Sequence, residues 1–149
     1  MRCVIQRVSQ AGVEVAGRVA GEIGKGLLVL VGIRPTDGDR EVEKAAGKIA
    51  KLRIFDDEKG VMNRSVLDIG GEVLVVSQFT LYGDLRKGNR PSYNGAAAGP
   101  VAIPVYERLV RALERQLGRP IPTGEFGAEM NVSLVNDGPV TIILDTDSL

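Results

Sequence analysis

Two uninterrupted apolar runs constrain this chain more than any other feature: GLLVLVGI at residues 26–33 and EVLVVSQF at residues 72–79. Each has the length of a strand and neither alternates with polar residues, so both belong to the interior of a sheet that is covered on its two faces. The covering layers are legible elsewhere in the sequence. Val42, Ala45, Ala46, Ile49 and Leu52 recur at helical spacing, with Asp37 and Asp39 before them and Lys48 and Lys51 at the end, a charge order that suits the helix dipole. Val105, Leu109, Ala112, Leu113 and Leu117 predict a second helix, with Pro104 in its first turn and Gly118 then Pro120 as its stop. The opposite face of that helix carries Arg108, Arg111 and Arg115, which read as a solvated face rather than an RNA surface.

The remainder reads as strands. Residues 2–8 and 13–19 predict an opening hairpin joined near SQAG, with Val13, Val15 and Val19 inward and Glu14 and Arg18 outward. Near the other end, MNVSLV and VTIILD alternate on either side of NDGPVT, residues 136–141. Proline cannot donate to a ladder and glycine weakens a strand, so Gly138–Pro139 marks a turn, an edge or a site. Spacing alone favours a hairpin turn, because Asn136, Asp137 and Gly138 accept positive φ. The order strands, helix, strands, helix, strands predicts an α/β fold: one domain over residues 1–149, with a mixed, mainly antiparallel sheet curled toward a barrel and two covering helices.

Composition excludes several chemistries. The chain has no histidine and one cysteine, Cys3, so neither a Ser-His-Asp nor a Cys-His arrangement can be assembled within it, zinc lacks its preferred ligands, and no intrachain disulfide can form. Asp56, Asp57 and Glu58 read as a solvated turn rather than a ligand set for a hard cation, and neither a metal nor any other cofactor is expected. Nineteen basic residues balance nineteen acidic ones, so no global field attracts nucleic acid; DNA is not an expected partner, and any RNA contact must be local. No run reaches the roughly 18 apolar residues of a membrane span, and MRCVIQRV lacks the apolar core of a signal peptide. The chain therefore reads as soluble and cytoplasmic, without a membrane partner.

Two polar segments remain as candidates for function. LYGDLRKGNRPSYNGAAAGP, residues 81–100, carries Arg86, Lys87 and Arg90 with Tyr82 and Tyr93, a composition that suits a single-stranded or terminal nucleotide as well as plain solubility. SQFT, residues 77–80, closes the strongest strand pattern, where a scaffold presents groups rigidly. Ser77 and Thr80 lack a base to activate them. Main-chain amides can still stabilise an oxyanion, one donor being worth on the order of 3 kcal/mol of barrier. By residue type alone, the segment reads as packing.

Taken together, MRCVIQRV, SQFTLYGD, RKGNRPSY and TGEFGAEMNVSLVNDGPVT resemble, in order and spacing, the D-aminoacyl-tRNA deacylases, over nearly the whole chain. The resemblance implies an enzyme that hydrolyses the ester of D-aminoacyl-tRNA, and of glycyl-tRNA, with the aminoacyl-tRNA 3′ end as its partner. It further implies a homodimer with cross-subunit active sites, in which Gly138 and Pro139, joined by a cis peptide bond, enter the partner's site as a chirality filter. An L side chain strikes that filter and a D side chain does not.

Ser77, Gln78, Phe79 and Thr80 are the catalytic segment implied by the same resemblance. Main-chain N–H groups near Phe79 and Thr80 face the ester carbonyl, and the 2′-hydroxyl of the terminal adenosine assists the attacking water. Thr80 as a nucleophile is the less favoured route, since nothing supplies it with a base. Gln78 orients substrate, Arg7 braces the Gly-Pro segment and Met130 packs beside the pocket; on their residue types alone these three read as a strand-end cap, a snorkelling arginine and a core residue. Tyr93 stands where the family commonly has phenylalanine. The alternative reading is a tRNA 3′-end binding module without chemistry. A related editing domain of threonyl-tRNA synthetases is disfavoured by the intact SQFT and NDGPVT.

Overall fold

The computed structural model describes residues 1–149. The two apolar runs form strands β3 (Gly26–Gly32) and β6 (Glu72–Ser77), which pair in parallel from Gly26 opposite Glu72 to Val31 opposite Ser77. On the other side of β3 lies β1 (Arg2–Val15), antiparallel, whose outer edge is taken by β7 (Asn131–Asp145). β2 (Arg18–Ile23) folds back on the far half of β1. A two-stranded ribbon, β4 (Phe55–Asp56) with β5 (Met62–Arg64), stands apart. Helices α1 (Asp39–Lys51) and α2 (Gly99–Leu117) pack on each other and on the sheet.

The parallel pair is covered on both faces, as its composition requires. Leu27, Val29, Val31, Val73 and Val75 point into the main core with Val42, Ala45, Ala46 and Ile49 of α1 and Val105, Leu109, Ala112 and Leu113 of α2. Leu28, Leu74 and Val76 point the other way, into a smaller core closed by Val8, Ala11, Val13 and Ile23. The bending of β1 and β2 over that second face turns the sheet into a half-barrel. Each fully buried aliphatic side chain contributes roughly 1.5–3 kcal/mol relative to exposure. Arg108 pairs with Asp39 at 2.8 Å and Arg115 with Glu43 at 3.4 Å, both at the surface, where such pairs contribute about 0–1 kcal/mol. These arginines tie helix to helix.

Several local expectations give way to tertiary structure. SQAG is not a turn: β1 runs straight through it, and the hairpin closes at Ala16–Gly17, both at positive φ. Ser9 and Gln10 are exposed because the strand bulges there against β7. Val19 is 56% exposed rather than inward. The second helix begins a turn earlier than predicted, at Gly99 and Pro100, so Pro104 lies in its interior. Asp37 does not serve the α1 terminus; it is buried and accepts from the Met1 α-ammonium at 2.8 Å. Asp56 ends β4 rather than entering a turn, and the turn follows at residues 57–60, with Asp57 Oδ1 accepting from the N–H groups of Val61 and Lys59, bonds that hold its carboxyl below the usual range.

NDGPVT is the largest departure from the spacing argument. It does not join two hairpin strands, since β7 continues through it and both halves pair with β1. Gln6 faces Thr141 and Val8 faces Asn136, so residues 137–140 bulge outward opposite the single residue Arg7. No helix of the chain is long and apolar enough to cross a membrane.

Candidate functional site

β6 ends at Ser77 and enters at once a single 3-10 turn, Phe79–Tyr82. The Gln78 N–H donates to the Val31 carbonyl at 2.7 Å, which ties the turn to β3. Gly32 provides the seat: a Cβ there would stand 3.1 Å from Leu81 and Tyr82 and 3.2 Å from the Gln78 carbonyl oxygen. The start of any such turn leaves amides without an internal acceptor. Here those amides are Phe79 and Thr80, whose N–H groups donate to no protein acceptor.

Beside this turn is a hollow of about 250 Å³. Ser77, Gln78 and Phe79 form one wall, and Phe126, Met130 and Val132 the other. No side chain lining it titrates. Thr80 adjoins the hollow without lining it, and its hydroxyl oxygen accepts from Gln78 Nε2. Phe79 is half exposed, its ring edge-to-face with Tyr93 at 5.1 Å between centroids. An aromatic wall beside a turn with two unbonded main-chain N–H groups can hold an apolar group and offer donors to a carbonyl oxygen.

Arg7 holds the Gly138–Pro139 bulge. It is 8% exposed; its Nε donates to the Asp137 carbonyl and its Nη1 to the Ile54 carbonyl, each at 2.7 Å. Asn136 closes the base of the bulge, accepting from the Val140 N–H at 2.7 Å and donating to the Val140 carbonyl at 3.1 Å. Gly138 has φ +145°, and a Cβ on it would meet Val140 Cγ2 at 2.7 Å, so this position requires glycine. The bond to Pro139 is cis, and residues 137–139 are exposed.

The structure thus gathers Ser77, Gln78, Phe79 and Met130 at one hollow, and Arg7, Gly138 and Pro139 at one projection. It does not bring the two together within the chain. Gly138 and Pro139 stand opposite Arg7, while Ser77 is aligned through Val31 with Cys3. That separates them by four residues along β1 and three strand spacings across the sheet, on the order of 20 Å at ~3.3 Å per residue and ~4.8 Å per strand. Sequence reasoning did not single out Phe126 as a wall or Asn136 as a clamp. No local signal distinguishes Phe126, which reaches the hollow because residues 122–124 run along β6, with Val75 bonded to the Pro122 carbonyl and Gly124 to the Val75 carbonyl.

This half-barrel with two helices is shared with solved structures. One, titled "Structural Analysis of a probable eukaryotic D-amino acid tRNA deacylase", superposes with a TM-score of 0.82 at 18% identity, over 96% of this chain and 97% of the other, a likeness of fold. Another, titled "c-Myc DNA Unwinding Element Binding Protein", reaches a TM-score of 0.92 at 41% identity, covering 98% and 99%. Among curated sequences, the D-aminoacyl-tRNA deacylase of Dechloromonas aromatica is 57% identical over 98% of this chain and 97% of its own length. That of Chromobacterium violaceum is 58% identical with the same coverage. The family model described as D-Tyr-tRNA(Tyr) deacylase matches residues 4–145. The chain belongs to this family of D-aminoacyl-tRNA deacylases, and it is a hydrolase.

Proposed function

We propose that the protein hydrolyses the ester linking a D-amino acid to the 3′ end of tRNA, and that it does so as a twofold dimer in which Gly138–Pro139 of each subunit enters the hollow of the other. One observation carries the cross-subunit part: the projection is pinned by Arg7 and Asn136 yet lies on the order of 20 Å from its own chain's hollow. Further support comes from β7, an edge strand of 15 residues with Val135 48% and Ile143 72% exposed. A long unpaired edge of this kind invites a second chain, and a twofold axis places the same patch on both sides of the contact.

In this reading the aminoacyl group lies between the walls formed by Phe79 and Met130. Water adds to the ester carbonyl carbon, the negative charge develops on the carbonyl oxygen near the free N–H groups of Phe79 and Thr80, and the C–O3′ bond breaks. The proton lost by water ends on O3′, leaving a free amino acid and tRNA. Each well-placed amide lowers the barrier by on the order of 3 kcal/mol. With no titrating side chain at the hollow, the 2′-hydroxyl of the terminal adenosine is the group available to orient the water, and Thr80 lacks the base that a nucleophile requires. Main-chain carbonyls of the inserted projection hold the substrate α-ammonium. The L side chain then meets the projection, so selection proceeds by exclusion, and glycine, with no Cβ, passes. Such a role places the protein with the translation machinery in the cytoplasm.

The test uses purified protein with D-tyrosyl-tRNA and L-tyrosyl-tRNA. Release of D-tyrosine with L-tyrosyl-tRNA left intact is the expected result. Binding of tRNA without any release of amino acid would replace the enzyme by a 3′-end binding module.

A further inference from the structure

Near the Phe79–Tyr93 pair lies a second and larger concavity, of about 730 Å³, at the root of the RKGNRPSY loop. The loop is closed by reciprocal main-chain bonds between Asp84 and Ser92, 2.7 and 3.0 Å. Ser92 and Asn94 line the concavity on either side of Tyr93 in sequence, and the Tyr93 ring packs on Phe79 of the hollow, so the aromatic pair links the two cavities.

The charge of this concavity is one-sided. Arg2, Arg86, Lys87 and Arg90 line it against the single carboxylate of Asp84. Arg2 is paired with Asp145 at 3.2 Å and Arg86 with Asp84 at 2.7 Å, the latter pair holding the Asp84 carboxyl down to about 2. Lys87 and Arg90 have no acidic partner. In a chain whose formal charges cancel overall, two unpaired cations on a loop closed at its root, beside exposed aromatics, make a local concentration of positive charge. Tyr82 lies under the Arg2 guanidinium, 4.7 Å from its ring centroid, and stiffens the floor of the concavity.

Resting on the proposed deacylase reading, we infer that this concavity is a phosphate subsite for the single-stranded RNA immediately upstream of the esterified nucleotide, with Lys87 and Arg90 as the phosphate-binding residues. The aromatic pair between them sets the proposed order: the ester at the 250 Å³ hollow, the terminal nucleotide against Phe79 and Tyr93, and the preceding phosphodiesters over Lys87 and Arg90. A basic groove that tracks a backbone beside aromatic faces is the way proteins hold single strands, and no base-reading side chain is needed. Inorganic phosphate shares the chemistry but not the extended polyanion.

The test measures binding of uncharged RNA, so it is independent of catalysis. A dye-labelled RNA hairpin ending in a single-stranded CCA tail is titrated with wild type and with the Lys87→Gln/Arg90→Gln double variant, both checked for an unchanged melting temperature. The expected result is affinity about tenfold weaker, with the slope of log K against log salt reduced by about 1.4, or ~0.7 per single-strand phosphate contact. A Lys87→Arg/Arg90→Lys variant should bind as wild type does, and a blunt hairpin without the tail should not distinguish the proteins. Unchanged affinity and slope, an equal loss with the blunt hairpin, or displacement of the RNA by millimolar inorganic phosphate would overturn the inference. Loss of RNA binding in the double variant of a protein that releases no amino acid would support the subsite while sinking the deacylase reading.

Discussion

The hollow at residues 77–80 and the projection at residues 137–140 are built in opposite ways. The hollow is concave, lined by apolar and uncharged side chains, and its useful polar groups are main-chain amides left over at the start of a 3-10 turn. The projection is convex and rises from an edge strand, and charged or amide side chains lock it at its base. One part has room without a reason to be rigid at its mouth; the other has rigidity without a cavity to fill. The two lie on the order of 20 Å apart within the chain, and the proposed dimer is the arrangement that would join them.

That contrast breaks most sharply at Gly138. Substitution by alanine introduces a Cβ where Val140 already stands at 2.7 Å, in a backbone region that disfavours L residues. The expected outcome is a fall in kcat/KM for D-aminoacyl-tRNA of about 10²-fold, the usual cost of a displacement near 1 Å at a positioning element. Hydrolysis assays at matched protein concentration decide this. A nearly unchanged rate would mean that the projection is ornamental.

Arg7→Met comes next. The substitution removes two charged hydrogen bonds, to the Asp137 and Ile54 carbonyls, while keeping the apolar stem. Denaturant titration should show a loss of about 1.5–3 kcal/mol, because bonds from a charged donor in a shielded place are the costly ones to lose. Activity should fall as well, since the projection loosens. A loss of stability with full activity and selectivity would separate Arg7 from the site.

Thr80→Ala should do least. Its hydroxyl only accepts from Gln78 and lies outside the lining of the hollow, while the main-chain N–H survives the substitution. A reduction of less than about tenfold in kcat is expected, below the 10²–10³ cost of losing an oxyanion donor. Abolition of activity in a folded protein would return Thr80 to the role of nucleophile.

What the sequence made legible follows from the range of the interactions. The doubly buried β3 and β6 announce themselves by unbroken apolar runs, and α1 by a stripe that matches its buried face at Val42, Ala45, Ala46 and Ile49. SQAG misled because small polar residues look the same in a turn and in an exposed bulge of a long strand; only the partner strand β7 tells them apart. NDGPVT misled for the same reason. Its turn-forming residues loop out of the strand without reversing it, because both flanks pair antiparallel with β1. At the site, SQFT and Gly138–Pro139 were identified through resemblance and not by spacing. Phe126 stayed hidden because the contact that carries it, residues 122–124 along β6, spans some fifty positions of sequence.

Whether the two parts meet across subunits is tested most directly by a mixed dimer. One chain carries Ala128→Trp, which fills the hollow but keeps the projection; the other carries Gly138→Val, which spoils the projection but keeps the hollow. Each homodimer should be nearly inactive. Co-expressed with different affinity tags and purified as the heterodimer, the pair contains one intact hollow facing one intact projection, and should recover about half of the wild-type rate per dimer. A heterodimer as inactive as its two parents would contradict a site shared between subunits.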